Sequence, residues 1–161
     1  EVNKGKRKTI RPFDPKRPLH VVMRASRAKG KCSFLYKKNY KMIFRLLKKI
    51  AIQSHVRVTG YVNVGNHFHF TIEAKKREHL QRFLRVFPGV VTLLVTGARK
   101  GSPVGRFWDQ LVYSRVVTGL KGIKTIHSYF QKNLLDALNI LGPEGFSKMH
   151  PWIAIVQSGS S

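Results

Sequence analysis

The chain is 161 residues long and carries 31 Lys+Arg against 7 Asp+Glu, a formal net charge of +24. Its length suits one domain, and a hydrophobic content of 42% is enough for a buried core and excludes a disordered tail. So large a positive excess points to a polyanionic partner, a nucleic acid before an anionic membrane, and no apolar run reaches the roughly 20 residues that span a bilayer. Cys32 is the only cysteine, which excludes an internal disulfide or a multi-cysteine zinc site and fits a reducing cytoplasm. The acids (Glu1, Asp14, Glu73, Glu78, Asp109, Asp136 and Glu144) are few and scattered. They leave little material for the carboxylate cluster of a two-metal nuclease.

Residues 1–17 hold Lys4, Lys6, Arg7, Lys8, Arg11, Lys16 and Arg17 with Pro12 and Pro15, an irregular basic arm that is either a solvated tail or a grip on phosphates. Leu19 to Ala25 is β-prone and gives a first strand. A helix is expected over 38–53, where Tyr40, Ile43, Phe44, Leu47, Ile50 and Ala51 share one face and Lys41, Arg45, Lys48 and Lys49 the other. Val56 to Asn63 reads as a second strand, Gly65-Asn66 as a tight turn and His67 to Ala74 as a third strand. A helix begins near Lys76 with Leu80, Phe83, Leu84 and Phe87 on one face; Pro88-Gly89 should kink or break it, leaving a second piece over 89–97. Arg99, Lys100, Gly101 and Gly105 make a loop, Arg106 to Val117 a fourth strand, and 123–138 a helix with Ile123, Ile126, Phe130, Leu134 and Ala137 as its buried stripe.

The order β-α-β-β-α-β-α is that of an α+β, ferredoxin-like split βαβ unit, an antiparallel sheet with helices packed on it. Three parts are expected: the basic N-terminal arm 1–17, a domain over 18–142, and a C-terminal tail 143–161 with no clear element.

The sharpest feature is His67-Phe68-His69. In a strand alternate side chains share a face, so the two imidazoles point one way, at a spacing that lets both reach one divalent cation. Phe68 and Phe70 point the other way, fit for burial. Two surface histidines on a half-exposed sheet are the plainer reading. In the last helix Tyr129 and Asn133 stand four apart and so share a face, on the flank of the buried stripe. If that helix packs on the histidine face, one pocket holds two imidazoles, an amide oxygen and a phenol.

These pieces resemble the single-tyrosine HUH transposases, particularly the REP-associated tyrosine transposases and their insertion-sequence relatives. Arg17-Pro18-Leu19-His20-Val21-Val22 is similar to the family's first strand, and Gly65-Asn66-His67-Phe68-His69-Phe70 to its histidine-hydrophobic-histidine motif. Phe107-Trp108-Asp109 is similar to a segment before its fourth strand. Tyr129-Phe130-Gln131-Lys132-Asn133 is similar to its catalytic helix. The resemblance covers about residues 17–138. It departs from the family where many relatives have glutamine at the position of Asn133, and where REP-associated members often have proline at the position of Leu134.

The resemblance implies a metal-dependent enzyme that cuts and joins single-stranded DNA, recognised through hairpins, in a bacterial cytoplasm. His67 and His69 would bind Mg²⁺ or Mn²⁺ with Asn133 as third ligand, and Tyr129 would attack phosphorus to leave a 5′-phosphotyrosine and a free 3′-hydroxyl. Arg11, Lys16, Arg17, Lys41, Arg45, Lys48, Arg99, Lys100 and Arg106 are candidates for gripping DNA, and Trp108 or Phe107 for stacking on unpaired bases, with a core role for Trp108 the plainer reading. Tyr61 and Tyr113 read as structural strand residues, Tyr36 and Tyr40 as weak rival nucleophiles, and His20 as structural, with lining the site as the lesser alternative. A homodimer exchanging its tyrosine helix is compatible with the resemblance. The alternatives are a replication initiator or relaxase with the same chemistry, a non-catalytic single-stranded nucleic-acid-binding module on the same fold, and a zinc-stabilised binding protein.

Overall fold

The computed structural model of the chain describes residues 9–99, 101–102 and 104–156, with backbone alone for 137, 138 and 140–156. The elements run β1 (Leu19–Arg24), a single 3₁₀ turn (Gly30–Cys32), α1 (Asn39–Gln53), β2 (Val56–Asn63), β3 (His67–Ala74), α2 (Arg77–Thr96), β4 (Tyr113–Val116), α3 (Gly119–Ile153) and β5 (Ala154–Val156). The sheet order is β4-β1-β3-β2-β5, every pairing antiparallel. Its first four strands have the expected split βαβ arrangement.

The two faces of the sheet do different work. On one, Phe68 and Phe70 of β3 are fully buried with Val21 and Met23 of β1 and Tyr61 of β2, beneath Ile43, Phe44 and Leu47 of α1 and Leu80, Phe83 and Phe87 of α2. Phe70 meets Phe87 edge to face at 5.5 Å and Phe68 stacks on Phe34 at 4.2 Å. Each such ring contributes about 1.5–3 kcal/mol by leaving water. This is the main core, with α1 and α2 as one layer. On the other face α3 lies over β2, its Ile126 and Phe130 buried against Val62, Val64 and Val117.

A bulge in β2 reconciles the two layers. Val58 pairs Ile72, but Gly60 rather than Thr59 pairs Thr71. The extra residue flips the downstream alternation, so Val56 and Tyr61 both reach the main core while Gly60 and Val62 face α3. Gly60 leaves room for α3 there: a Cβ on it would stand 2.5 Å from the Phe130 ring, which would have to shift. The β2–β3 turn is fixed as well. Gly65 has φ +94°, and Asn63 accepts the Gly65 N–H at 3.0 Å while donating to the Phe34 carbonyl at 3.0 Å.

Several expectations are corrected. Pro88 does not break α2, which runs unbroken from Arg77 to Thr96. The apolar stripe continues in phase from Phe87 to Val91 and Val95, all buried, and this packing outweighs the roughly 3 kcal/mol that proline costs inside a helix. The fourth strand is Tyr113–Val116, not Arg106–Val117. Before it, Phe107 is buried in the main core, and the Asp109 carboxylate accepts from the Ser26 N–H at 2.8 Å and the Ser26 hydroxyl at 2.6 Å. These side-chain contacts hold the segment where a ladder was expected. Helix α3 starts earlier and runs further than 123–138, and Ile123 is exposed rather than part of its buried stripe. Residues 1–8 of the expected arm, Lys100 of the loop and residues 157–161 of the expected tail lie outside the described residues.

Gly60→Ala should push Phe130 off the sheet and cost about 1–3 kcal/mol, the usual range for overpacking a fitted contact. Chemical denaturation of the two proteins measures it; an unchanged midpoint would mean that α3 does not seat on β2 in this way.

Candidate functional site

Strand registry assembles the site. Arg24 pairs His67 and Val22 pairs His69 across β1–β3, and His20 pairs Thr71. These side chains therefore share the face opposite Phe68 and Phe70. Across β1–β4, Val22 pairs Tyr113 and His20 pairs Arg115, adding those two to the same face. Helix α3 crosses it, seated by Phe130, and brings Tyr129 and Asn133 over the histidines.

His69 is 2% exposed, with rings of His67 at 4.9 Å, His20 at 5.6 Å, Phe130 at 6.3 Å and Tyr129 at 5.1 Å around it, the last edge-on. Its Nδ1 lies 3.4 Å from His20 Nε2, with the two rings within 11° of coplanar. One proton between those nitrogens satisfies both. His69 Nε2 is buried and has no hydrogen-bond partner. Burial, then the neighbouring His67 and His20, push the His69 pKa down to about 3; burial, then Arg115, push His20 down to about 4. Both imidazoles are neutral at pH 7 and keep a lone pair.

His67 sits at the rim. Its Nδ1 lies 2.6 Å from Asn66 Oδ1, which fixes Nδ1 as the donor and leaves Nε2 unprotonated in the neutral ring. Burial, then Arg24, lower its pKa, while the hydrogen bond that a protonated ring would donate to the Asn133 side chain and the charge of Asp136 act in the opposite sense. Asn133 is 8% exposed and its Nδ2 donates to the Tyr129 carbonyl at 2.7 Å. Its amide is thereby oriented with Oδ1 toward His67. Tyr129 is 48% exposed although its ring lies against His69 and His20.

The donor set suits a small cation. A buried imidazole nitrogen without a partner, a second imidazole nitrogen freed by Asn66, and an amide oxygen lie together beneath the Tyr129–Asn133 turn of α3. No group of three or more His, Cys, Asp or Glu with metal-holding geometry occurs among the described residues, so the amide would have to supply the third protein ligand.

The structure brings together His67, His69, Asn133 and Tyr129. It also brings in His20 of β1, for which the sequence reading put a structural role before a place in the site. The expected DNA contacts are dispersed. Lys41, Arg45 and Lys48 lie on α1, which packs on the Phe68/Phe70 face; Lys48 lies over the Phe44 ring at 4.8 Å and Lys41 over Tyr40 at 5.8 Å. The Arg11 guanidinium donates to the Val112 carbonyl at 3.0 Å and to Ser114. Arg17 pairs with Asp14 at 3.4 Å, and the Lys16 N–H donates to the same carboxylate. Arg106 donates to the carbonyls of Trp108 and Asp109, and Arg99 lies in a small bridge with Ser102. Trp108 is not available for stacking: its indole N–H donates to the Pro88 carbonyl and to Thr92 Oγ1, and its ring packs on Phe34. Tyr40 is buried and Tyr36 lies just before α1, neither of them beside the histidines. Among the described residues no helix is long and apolar enough to cross a membrane.

No family model matches the chain, and no curated protein matches it. Two solved structures share its fold at low identity. One is a REP-associated tyrosine transposase bound to a REP hairpin: TM-score 0.55, 10% identity, covering 76% of this chain and 69% of that one. The other is a candidate transposase from Deinococcus radiodurans: TM-score 0.50, 11% identity, covering 79% of this chain and 98% of that one. The chain thus has a mixed α/β fold similar to that of transposases.

Proposed function

We propose that the protein is a metal-dependent, single-tyrosine nuclease and strand transferase acting on single-stranded DNA, with Tyr129 as nucleophile and His67, His69 and Asn133 as metal ligands. The observation that carries this reading is the Tyr129 ring set edge-on against His69 at 5.1 Å, beside a buried His69 Nε2 that has no partner. The net charge of +24 suits a phosphate backbone, and the hairpin bound by one structural neighbour suggests the form of the substrate.

Mg²⁺ or Mn²⁺ held by the two imidazoles and the amide would polarise the scissile phosphate and offset charge on its oxygens. The chain supplies the rest. The hydroxyl of the half-exposed Tyr129 gives up its proton as Oη bonds to phosphorus, and the P–O3′ bond breaks with its electron pair going to O3′, which takes up a proton. The 5′-phosphoryl stays on the tyrosine. Attack by a later 3′-hydroxyl forms a new phosphodiester and returns the phenol, so rejoining needs no ATP. Phe130, wedged over Gly60, fixes the helix register that sets Tyr129 over the histidines.

Because the 5′-phosphoryl is the part retained, a 3′-labelled single-stranded hairpin should migrate with the protein in a denaturing gel when Mn²⁺ is present. Tyr129→Phe should abolish that band while leaving DNA binding unchanged; a band that survives the substitution would overturn the assignment of the nucleophile. Binding of DNA without any trapped product, over varied hairpins, would favour a binding module instead.

His67→Ala and His69→Ala should weaken Mn²⁺ binding, followed by calorimetry, by more than the roughly 10–100-fold that loss of an outer-shell partner costs in metal sites. Asn133→Ala should weaken it less. Mn²⁺ affinity indifferent to both histidines would remove the metal centre from this place.

A further inference from the structure

Helix α3 covers only part of the histidine face. It seats on β2 through Phe130 and Ile126 and also covers His20 of β1, while among the described residues the side chains toward β4 on this face stay exposed. Three large side chains stand there. Tyr113 is 54% exposed, Arg115 is exposed two residues along the same strand, and Arg24 is exposed beside His67. Val22 separates Tyr113 on one side from His69 on the other. Two strand spacings put their backbones about 10 Å apart, so the tyrosine ring stands beside the reaction centre.

Next to Tyr113 the surface dips into an open cleft of about 340 Å³ between Arg24 and the segment before β4, with Gln110 and Leu111 on its wall. Both are exposed, Leu111 by 50%. The cleft is framed rigidly. Asp109 is clasped by the Ser26 N–H and hydroxyl, and its own N–H donates to the Arg24 carbonyl at 3.0 Å. The carboxylate of this clasp lies 3.8 Å from the Arg24 guanidinium, so it is already engaged rather than turned against an incoming phosphate.

We propose that this cleft is a binding subsite for one unpaired nucleobase of the DNA strand, next to the phosphate that Tyr129 attacks. The inference rests on the single-strand reading above and deepens it. Tyr113 supplies a π-face for stacking and Leu111 an apolar wall. The Gln110 carboxamide has both a donor and an acceptor for the base edge. Arg24 and Arg115, one on either side of Tyr113, meet the phosphates before and after that nucleotide. The charge is complementary and the base must be unpaired, because only a splayed base presents its whole face to a ring lying on a sheet. The strand then crosses the sheet over β4 and β1, and the basic face of α1 lies behind the sheet from it.

The test uses the full chain and single-stranded oligonucleotides in which 2-aminopurine replaces one base at a time around the cleavage position, with the duplex of the same sequence for comparison. The parent protein should quench one position next to the scissile phosphate. Tyr113→Leu, which keeps a strand-compatible side chain, should remove that quench and weaken single-strand binding about tenfold, within the range for loss of one base–aromatic stack. Tyr113→Phe should restore both, and duplex binding should not change. Equal single-strand affinity and unchanged quenching in Tyr113→Leu would overturn the subsite, as would a loss shared equally by the duplex. Thermal melts of both variants confirm folding, and Gln110→Ala, which touches no packed group, should lower the position's base preference even if Tyr113→Leu fails to fold. The two readings fail separately. A Tyr129-dependent adduct with no effect at Tyr113 sinks the subsite alone, whereas Tyr113-dependent binding with no adduct sinks the nuclease alone.

Discussion

The alternation of β3 governs everything else in this molecule. Four consecutive residues put Phe68 and Phe70 into a dry aromatic core and His67 and His69 onto the opposite surface. Both demands act on the same backbone. The rings lock the strand in register, because a slip of one residue would bury two imidazoles among phenylalanines and expose the core. That rigidity is what a pair of metal-ligating or phosphate-facing histidines needs, since their separation is then set by the strand repeat and not by flexible loops. The core thus specifies the geometry of the site from behind.

The second constraint is the seat of α3. The height of a helix over a sheet is set by the side chains packed between them. Gly60 removes a side chain where Phe130 descends, and the β2 bulge is what turns Gly60 toward α3 at all. Tyr129 is the neighbour of Phe130, and Asn133 lies one turn further on. The close approach at Gly60 therefore sets how Tyr129 and Asn133 stand against the histidines. A defect in a strand and a missing Cβ are, in this protein, part of the site although neither touches substrate.

Local periodicity was legible in the sequence, and relations between distant segments were not. The stripe of α1, the two faces of β3 and the one-turn spacing of Tyr129 and Asn133 are properties of short windows, and each is present as expected. The β2 bulge depends on which residue of β3 each residue of β2 meets, which no window of β2 contains. Pro88 has a local meaning, helix breaking, that loses to burial contributed by β3 and α1. Arg106 to Val112 has strand-like composition, yet Arg106, Trp108 and Asp109 find partners in their own segment, β1 and α2 that outcompete a ladder. His20 had no partner within its own strand and gained one only when β1 paired with β3. The same limit hid where the basic residues lie: Lys41, Arg45 and Lys48 form the clearest stripe in the sequence and stand on the helix layer behind the sheet, whereas Arg24 and Arg115, unremarkable in their own segments, flank the histidines.

Electrostatics joins these pieces. In a chain with a net charge of +24, the histidine cluster is a neutral island: burial and the fields of Arg24 and Arg115 keep the imidazoles deprotonated. The nearby carboxylate of Asp109 is engaged with Ser26. Under the proposed reading, a divalent ion bound by two neutral imidazoles and an amide would keep its full charge, unlike one in a carboxylate cage. In that reading a DNA phosphate would supply an anionic ligand to the ion. Ion and strand would then each raise the affinity of the site for the other, by the same factor in both directions. A scarcity of acids, which at first only argues against a two-metal nuclease, becomes in this arrangement the reason that metal and substrate would assemble together.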